Sequence, residues 1–199
     1  MTPLFQAALE LQTELSRCGA KFCFIGGLAV LRWAEPRFTQ DVDLTLFTAP
    51  GEEAPVIDAM LGRFAARRAG AREFALRHRV LLLTASNGVP CDLALGALPF
   101  EQRMVGRASA FEFEPGCSLV TCSADDLIVL KAFADRPKDW LDVEAVLAGQ
   151  GRGLDLNRIR SELRPLCELK DAPDILDRLA DLVKGIGRRA GSGRRARRR

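Results

Sequence analysis

Apolar residues recur along the chain with two different spacings, and these spacings predict an alternation of helices and strands. Residues 3–17 carry an apolar side chain at every third or fourth position, which is typical of an amphipathic helix. Residues 41–47 alternate between polar and apolar side chains, which is the period of a strand with one buried face. Further apolar strands are predicted at 21–25, 80–84 and 89–95. The turn signal Ser86-Asn87-Gly88 joins the last two strands as a hairpin.

The rest of the chain is predicted to be mostly helical. Helices are expected at residues 28–34, 52–68, 100–105, 123–134, 138–148, 156–167 and 173–186. Weaker strands are expected at 111–113 and 118–121. This order of elements predicts an α+β fold in which a mixed sheet of the α/β type is covered by helices. We expect a core at residues 1–122, a small helical C-terminal part at 123–187 and a disordered tail at 188–199.

The predicted tail differs in charge from the rest of the chain. The net charge is +3, but residues 188–199 contain seven arginines and no acidic residue. Without those arginines, 22 basic residues remain against 26 acidic ones, so the body has a net charge of −4. Three interpretations are open: a solubilising terminus, a counterweight to the negative body, or a contact for RNA phosphates, which arginine clusters bind without sequence selectivity.

The composition argues against several classes of protein. No apolar run approaches the ~20 residues of a membrane-spanning helix, so no membrane partner is expected. The N-terminus lacks a basic segment ahead of an apolar one, so we expect no signal peptide and a cytoplasmic location. The six cysteines form no C-x-x-C pair and His78 is the single histidine. A zinc site is therefore not expected, and the thiols are expected to be buried and reduced.

Two aspartates on one face of a predicted strand give the strongest chemical signal. Asp41 and Asp43 are two residues apart, so their side chains point the same way at a separation of about 6–7 Å. Such a pair repels itself unless a cation lies between the carboxylates, and a hard, oxygen-seeking cation suits them best. Asp92 becomes a third acid of this face if the predicted hairpin pairs beside residues 41–47. Three carboxylates on adjacent strands can hold two Mg²⁺ ions, which orient a triphosphate.

A glycine pair precedes these aspartates. Gly26 and Gly27 follow a predicted strand and come directly before a predicted helix. Glycines at such a junction let backbone N–H groups approach phosphates, and a helix N-terminus favours anions. A glycine pair alone is a weak signal, but it becomes more specific when Asp-x-Asp follows 14 residues later on an alternating strand.

These segments together resemble the nucleotidyltransferase superfamily, and within it most closely the AbiEii/AbiGii toxin-like group. The resemblance rests on Ile25-Gly26-Gly27-Leu28-Ala29, on Arg37-Phe38-Thr39-Gln40-Asp41-Val42-Asp43-Leu44 and on the strand acid in Val89-Pro90-Cys91-Asp92-Leu93. The group also has a downstream lysine, an arginine and a basic-Asp-x-x-Asp motif, which here correspond to Lys131, Arg136 and Lys138-Asp139-Trp140-Leu141-Asp142. The resemblance covers residues 20 to 150 and implies a nucleotidyltransferase core of the polymerase-β-like kind.

The resemblance also implies roles for individual residues. Asp41 and Asp43 would be metal ligands, and Asp92 a metal ligand or the base that activates the acceptor hydroxyl. The phosphate site would be lined by Gly26, Gly27, Arg37 and Thr39. Lys131 would contact triphosphate oxygens, while Asp139 would orient the base or the acceptor, or brace Lys131. Members of the group use NTPs and Mg²⁺ to transfer a nucleotide onto hydroxyls of RNA, including tRNA, or of protein, and some are toxins opposed by an antitoxin.

Other interpretations of these residues stay open on the sequence. Asp92 could be an exposed hairpin residue, Arg37 a loop cation and Lys131 a surface side chain. Asp139 and Asp142 could pair with neighbouring basic residues on a solvated face. Two alternative functions also remain: a module that binds nucleotide or a partner without turnover, and a nucleotidyltransferase that modifies a small molecule such as an aminoglycoside.

Overall fold

The computed structural model describes the backbone of residues 1–196 and the side chains of residues 1–188. Contacts divide the chain into two compact units. The first unit comprises Met1–Arg32 and Pro36–Ser123, and the second comprises Trp33–Glu35 and the chain from Ala124 onward.

The first unit is built on a mixed sheet of seven strands. In chain order they are β1 (Lys21–Phe24), β2 (Val42–Phe47), β3 (Ala65–Ala66), β4 (Val80–Thr84), β5 (Pro90–Gly96), β6 (Ser109–Glu114) and β7 (Cys117–Thr121). Their order across the sheet is β3-β4-β5-β2-β1-β7-β6. β2 pairs with β5, and β1 with β7, in parallel, while the other neighbours are antiparallel. The predicted mixed sheet and the hairpin of β4 and β5 are thereby confirmed.

Helices pack against this sheet. They are α1 (Pro3–Arg17), α2 (Gly26–Trp33), α3 (Ala54–Leu61), α4 (Ala71–His78) and α5 (Pro99–Arg107). The apolar stripe of α1 enters the core beside α3, where Ile57 is fully buried. The alternating apolar positions of β2 and β5 enter the same core: Val42, Leu44, Leu46, Cys91, Leu93 and Leu95. The intervening positions of these two strands therefore lie on the opposite face.

The prediction of one helix over residues 52–68 is wrong. α3 ends at Leu61, and Gly62 caps it. Glycine is a poor helix residue, and the chain after it gains hydrogen bonds at the open edge of β4 instead of continuing the helix. Ala65 and Ala66 pair with β4 as the short edge strand β3, and the N–H of Arg67 donates to the carbonyl of Leu82 at 3.0 Å. The helix α4 is not predicted either, because its eight residues are too few for a clear periodic pattern.

The second unit is helical in the part that the structure describes. Its helices are α6 (Ala124–Ala134), α7 (Pro137–Gln150), α8 (Leu156–Lys170) and α9 (Asp174–Ala196), with a 3₁₀ turn at Gly151–Gly153. Pro137 begins α7, where its missing N–H costs nothing. The side chain of Asp155 caps α8 by accepting from the N–H groups of Asn157 and Arg158.

α9 extends further than the sequence predicts. A helix is expected to end at residue 186, yet α9 continues to Ala196 and so enters the segment for which we expected disorder. The alanines and arginines of this segment favour a helix, while its glycines at positions 187, 191 and 193 oppose one. The side chains beyond residue 188 and the whole of residues 197–199 lie outside the described part. Within the described residues, no helix is long and apolar enough to span a membrane.

Candidate active site

Strand register brings two of the predicted catalytic aspartates side by side. β2 and β5 are adjacent and parallel, and Asp43 lies directly opposite Asp92. Residues opposite each other on neighbouring strands point to the same face, and the strands are about 4.8 Å apart. Both aspartates are partly exposed, while their neighbours Val42 and Cys91 are buried on the other face. The third acid therefore lies on the face and at the level that its predicted role requires.

Asp41 belongs to the loop that leads into β2. It is exposed, and its Oδ1 accepts a hydrogen bond from the hydroxyl of Thr39 at 3.2 Å. Arg37, in the same loop, is exposed and donates to the carbonyl of Phe38 at 3.2 Å. The loop thus presents the predicted cation Arg37, the hydroxyl of Thr39 and the carboxylate of Asp41 within five residues.

Gly26 lets the Asp43 side chain lie directly against the backbone at the start of α2. A Cβ atom on residue 26 would come within 2.1 Å of the Asp43 Oδ2 atom and 2.8 Å of its Cβ atom. Gly26 also has a φ of +56°, a conformation that residues with a side chain rarely adopt. The N–H of Ile25 donates to the carbonyl of Asp43 at 2.9 Å and fixes the two segments together. Glycine is therefore required at position 26 for two independent reasons.

Gly27 likewise leaves room for a side chain of the loop before β2. A Cβ atom on residue 27 would come within 2.2 Å of the Thr39 Oγ1 atom. The Thr39 side chain therefore rests on the first turn of α2, at the end where backbone N–H groups point out of the helix. Gly26, Gly27, Thr39, Asp41 and Asp43 thus form one continuous corner of the first unit.

A basic residue that the sequence analysis did not single out also reaches this face. Arg67 follows β3, and its Nη2 atom forms an ion pair and hydrogen bond with Oδ1 of Asp92. The side chains are 31% and 37% exposed respectively, so the pair is in contact with solvent. The sequence offers a weak hint, because Gly62 interrupts the predicted helix that contains Arg67. Its pairing with Asp92 depends on strand order, which the local pattern does not specify.

The side chains around Asp41, Asp43 and Asp92 supply the kinds of donor atom that bind a divalent cation, but they do not form a cluster of metal ligands. Carboxylate and hydroxyl oxygens are the ligands that Mg²⁺ prefers. Among the residues that the structure describes, no group of three or more His, Cys, Asp or Glu side chains is close enough together to hold a metal ion. Asp92 is instead paired with Arg67. Asp41, Asp43 and Asp92 match the ion in donor type, and the strand register sets Asp43 beside Asp92.

Cys91, the neighbour of Asp92, is excluded as a nucleophile. Its side chain is fully buried on the core face of β5. Burial raises the pKa of its thiol to about 12. The thiolate is the reactive form, so this residue is chemically inert near neutral pH.

Two of the predicted nucleotide-binding residues, Lys131 and Asp139, lie in the second unit and pair with each other there. The Lys131 Nζ atom is 3.0 Å from Oδ1 of Asp139 and 2.8 Å from Oδ2 of Asp142. Arg136 adds a hydrogen bond from its Nε atom to Oδ2 of Asp139 at 2.5 Å. The Lys131 side chain is 10% exposed, Asp139 is fully buried and Asp142 is 5% exposed. We call these four residues the α6–α7 ion cluster.

Electrostatics keep Asp139 ionised in this cluster. Burial by itself would raise the pKa of this carboxyl, but the hydrogen bonds from Arg136 and Lys131 outweigh burial and hold the pKa below its usual range. The Lys131–Asp139 contact is the one that the predicted bracing role requires. A contact between Lys131 and triphosphate oxygens stays a prediction.

One known protein family matches almost the whole chain. Residues 11–191 match the family described as nucleotidyl transferase AbiEii toxin, type IV TA system. No curated protein matches the sequence. Among solved structures, the chain is similar to an antigenic nucleotidyltransferase-like protein from Paracoccidioides brasiliensis, with 12% identity, coverage of 87% of this chain and 91% of that one, and a TM-score of 0.52.

Two antibiotic-modifying proteins are also similar in structure, at lower scores. The lincosamide antibiotic adenylyltransferase LnuA, lincomycin-bound, has 11% identity over 71% of this chain and 94% of its own, with a TM-score of 0.49. ANT(2″)-Ia in complex with adenylyl-2″-tobramycin has 13% identity over 83% of this chain and 98% of its own, with a TM-score of 0.49. The fold predicted from the resemblance is confirmed by the family match and by the similarity to the protein from Paracoccidioides brasiliensis. The chain belongs to the AbiEii nucleotidyl transferase toxin family and is a nucleotidyltransferase.

Proposed function

We propose that this nucleotidyltransferase moves a nucleoside monophosphate from an NTP onto a hydroxyl group of an RNA, such as a tRNA, or of a protein, with Mg²⁺ as its cofactor. The observation that supports this most directly is the register of β2 and β5, which sets Asp43 opposite Asp92 on the partly exposed face of the sheet. Asp41 and Asp43 would hold the metal, two ions in the full site, with Asp92 as the third ligand or as the base. Bound there, Mg²⁺ would neutralise the triphosphate and polarise the phosphorus under attack.

The residues around the aspartates account for the binding of the triphosphate. Gly26 and Gly27 leave the first turn of α2 without side chains, and its outward N–H groups suit phosphate oxygens. Arg37 and Thr39 would add a positive charge and a hydroxyl donor from the neighbouring loop. The part in nucleotide binding expected of Lys131 and Asp139 stays a prediction, and within the second unit Asp139 braces Lys131 by accepting its hydrogen bond.

The transfer itself is a displacement at the α-phosphorus. The acceptor oxygen forms a bond to that phosphorus, the bond to the β-phosphate oxygen breaks, and pyrophosphate leaves. The proton of the acceptor hydroxyl passes to the Asp92 carboxylate when Asp92 acts as the base. The contact with the Gly26 backbone limits the directions in which the Asp43 carboxylate can point. The rate gain then comes mainly from positioning and charge neutralisation.

An experiment with NTPs labelled at the α-phosphate tests this proposal. The purified chain is mixed with total tRNA, with cell protein and, separately, with an aminoglycoside, in the presence of Mg²⁺. We expect label in RNA or protein, and none with the double variant Asp41→Asn/Asp43→Asn. Glu73→Gln, which changes an exposed carboxylate on α4, is the matched control and should label like the wild type. Label on the aminoglycoside alone, or equal labelling by the double variant, would overturn the proposal.

We further propose that the chain is a toxin that an antitoxin opposes, as its family description indicates. Induced expression of the wild type in a bacterial host should arrest growth, since modified tRNA or protein accumulates. The variant Asp43→Asn should be harmless at the same protein level. Growth arrest that persists with Asp43→Asn would separate toxicity from nucleotidyl transfer and would refute this part of the proposal.

A further inference from the structure

A row of side chains at the candidate site begins at Arg67, directly after β3, and crosses the three strands β4, β5 and β2. Arg67 is bonded through its N–H to Leu82 on β4, Leu82 is opposite Asp92 on β5, and Asp92 is opposite Asp43 on β2. Residues in such a row share one face of the sheet. Arg67 passes over Leu82 to reach Asp92, a distance of about two strand spacings, or ~9.5 Å, which suits the length of an arginine. The basic residue therefore lies at one end of the row and two acids at the other.

The positive charge of Arg67 offsets the repulsion between the two carboxylates of this row. Like charges directly opposite each other on neighbouring strands repel and destabilise the pair. Asp43 and Asp92 are in that relation, and the described cation in contact with Asp92 is Arg67. A divalent cation between the two carboxylates would relieve the same repulsion. Arg67 and a metal ion at this position would therefore compete for the Asp92 carboxylate.

We propose that Arg67 is a positioning residue that holds Asp92 until a divalent cation replaces it, and that Arg67 thereby sets the metal affinity of the site. This inference rests on the proposed function, since it assumes that the metal binds at Asp43 and Asp92. The exposure of both partners makes the exchange inexpensive, because a pair in contact with solvent contributes little. Release of Arg67 then leaves its guanidinium on the same face of the sheet, beside the metal ligands.

Metal binding without nucleotide measures this role directly. Mn²⁺ is titrated into the full chain, and free Mn²⁺ is followed by electron paramagnetic resonance. We expect Arg67→Gln to lower the dissociation constant for Mn²⁺ by about two- to fivefold, the range that one exposed ion pair allows. Arg67→Lys, which keeps the charge, should lie between Arg67→Gln and the wild type. Arg77→Gln removes the same charge from an exposed position on α4 and should leave the dissociation constant unchanged.

A double-mutant cycle identifies the partner of Arg67. In the background of Asp92→Asn, the change Arg67→Gln should no longer affect Mn²⁺ binding, because the carboxylate for which arginine and metal compete is gone. Unchanged or weaker Mn²⁺ binding by Arg67→Gln, while Asp43→Asn abolishes binding, would overturn this inference and leave the proposed function standing. Absence of Mn²⁺ binding by the wild type, or full binding by Asp43→Asn, would overturn the proposed function and this inference together.

Discussion

Lys131→Met removes the ammonium group at the centre of the α6–α7 ion cluster and keeps most of the aliphatic side chain. Asp139, which is fully buried, loses a hydrogen bond of 3.0 Å, and Asp142 loses an ion pair of 2.8 Å. Removing one partner of a buried ion pair costs about 3–5 kcal/mol in free energy of unfolding. Asp139 keeps its hydrogen bonds from Arg136, so we expect the lower end, about 3 kcal/mol. For a chain of this size, the melting temperature should fall by about 6–12 °C.

Intrinsic fluorescence is a clean probe for this experiment. The chain has two tryptophans and no tyrosine, and both Trp33 and Trp140 belong to the second unit, which contains the cluster. Trp140 lies on α7 next to Asp139, so its contribution to the emission in a urea titration reports unfolding around the cluster. Lys138→Met is the matched control, because Lys138 is exposed on α7 of the same unit. Its free energy of unfolding should stay within about 0.5 kcal/mol of the wild type.

The same variant separates two roles of Lys131. If Lys131 mainly braces α6 and α7, Lys131→Met lowers stability, and below its melting temperature it still binds NTP. If Lys131 mainly contacts the triphosphate, NTP binding weakens at least tenfold while the urea midpoint matches that of Lys138→Met. This second result would refute the structural reasoning about the cluster.

Three further predictions follow from the described contacts. Gly26→Ala should lower the free energy of unfolding by about 1–2 kcal/mol and abolish nucleotidyl transfer, since its Cβ atom displaces Asp43; normal activity would contradict this. The pKa of Asp139 is lowered in the folded state, so its stabilising effect is complete above about pH 4 and is lost as the pH falls through the folded pKa. Asp139→Asn should therefore flatten the decline of the urea midpoint in acid, and an unchanged decline would count against the cluster. Maleimide should label the native chain rapidly at Cys18, which is exposed, and leave Cys91 unlabelled, as peptide mass spectrometry can check.

The local sequence is sufficient to predict most strands of the sheet and the position of the glycine pair Gly26-Gly27. α1, β4 and α6 end where their periodic patterns and caps predict, because each of these elements has a continuous apolar pattern of its own. The strands β2 and β5 were located by alternation, with Asp43 and Asp92 on the polar side. The chemistry of an Asp-x-Asp strand after a glycine pair led to the family, and the family match agrees.

Prediction failed where a segment has no dominant pattern. Residues 62–68 contain helix-forming residues, yet their backbone pairs with the open edge of β4, an interaction that depends on residues almost 20 positions away. α4 is only eight residues long and half of them are polar, which is too short a segment for a clear periodic pattern. In both cases tertiary contacts decided the local conformation.

The amino-acid order alone therefore determined which residue types face each side of β2 and β5, because side-chain direction along a strand has a fixed period of two. It also placed the glycine pair at the junction of a strand and a helix, whereas the contacts with Asp43 and Thr39 that exclude a side chain there belong to the tertiary structure. Tertiary structure alone decided that β5 lies beside β2 in a register that sets Asp92 opposite Asp43, and that Arg67 ends up next to them. These residues are distant in sequence. They come close together because several segments gain free energy by burying one common core, and the sequence of a single segment does not specify how that core is assembled.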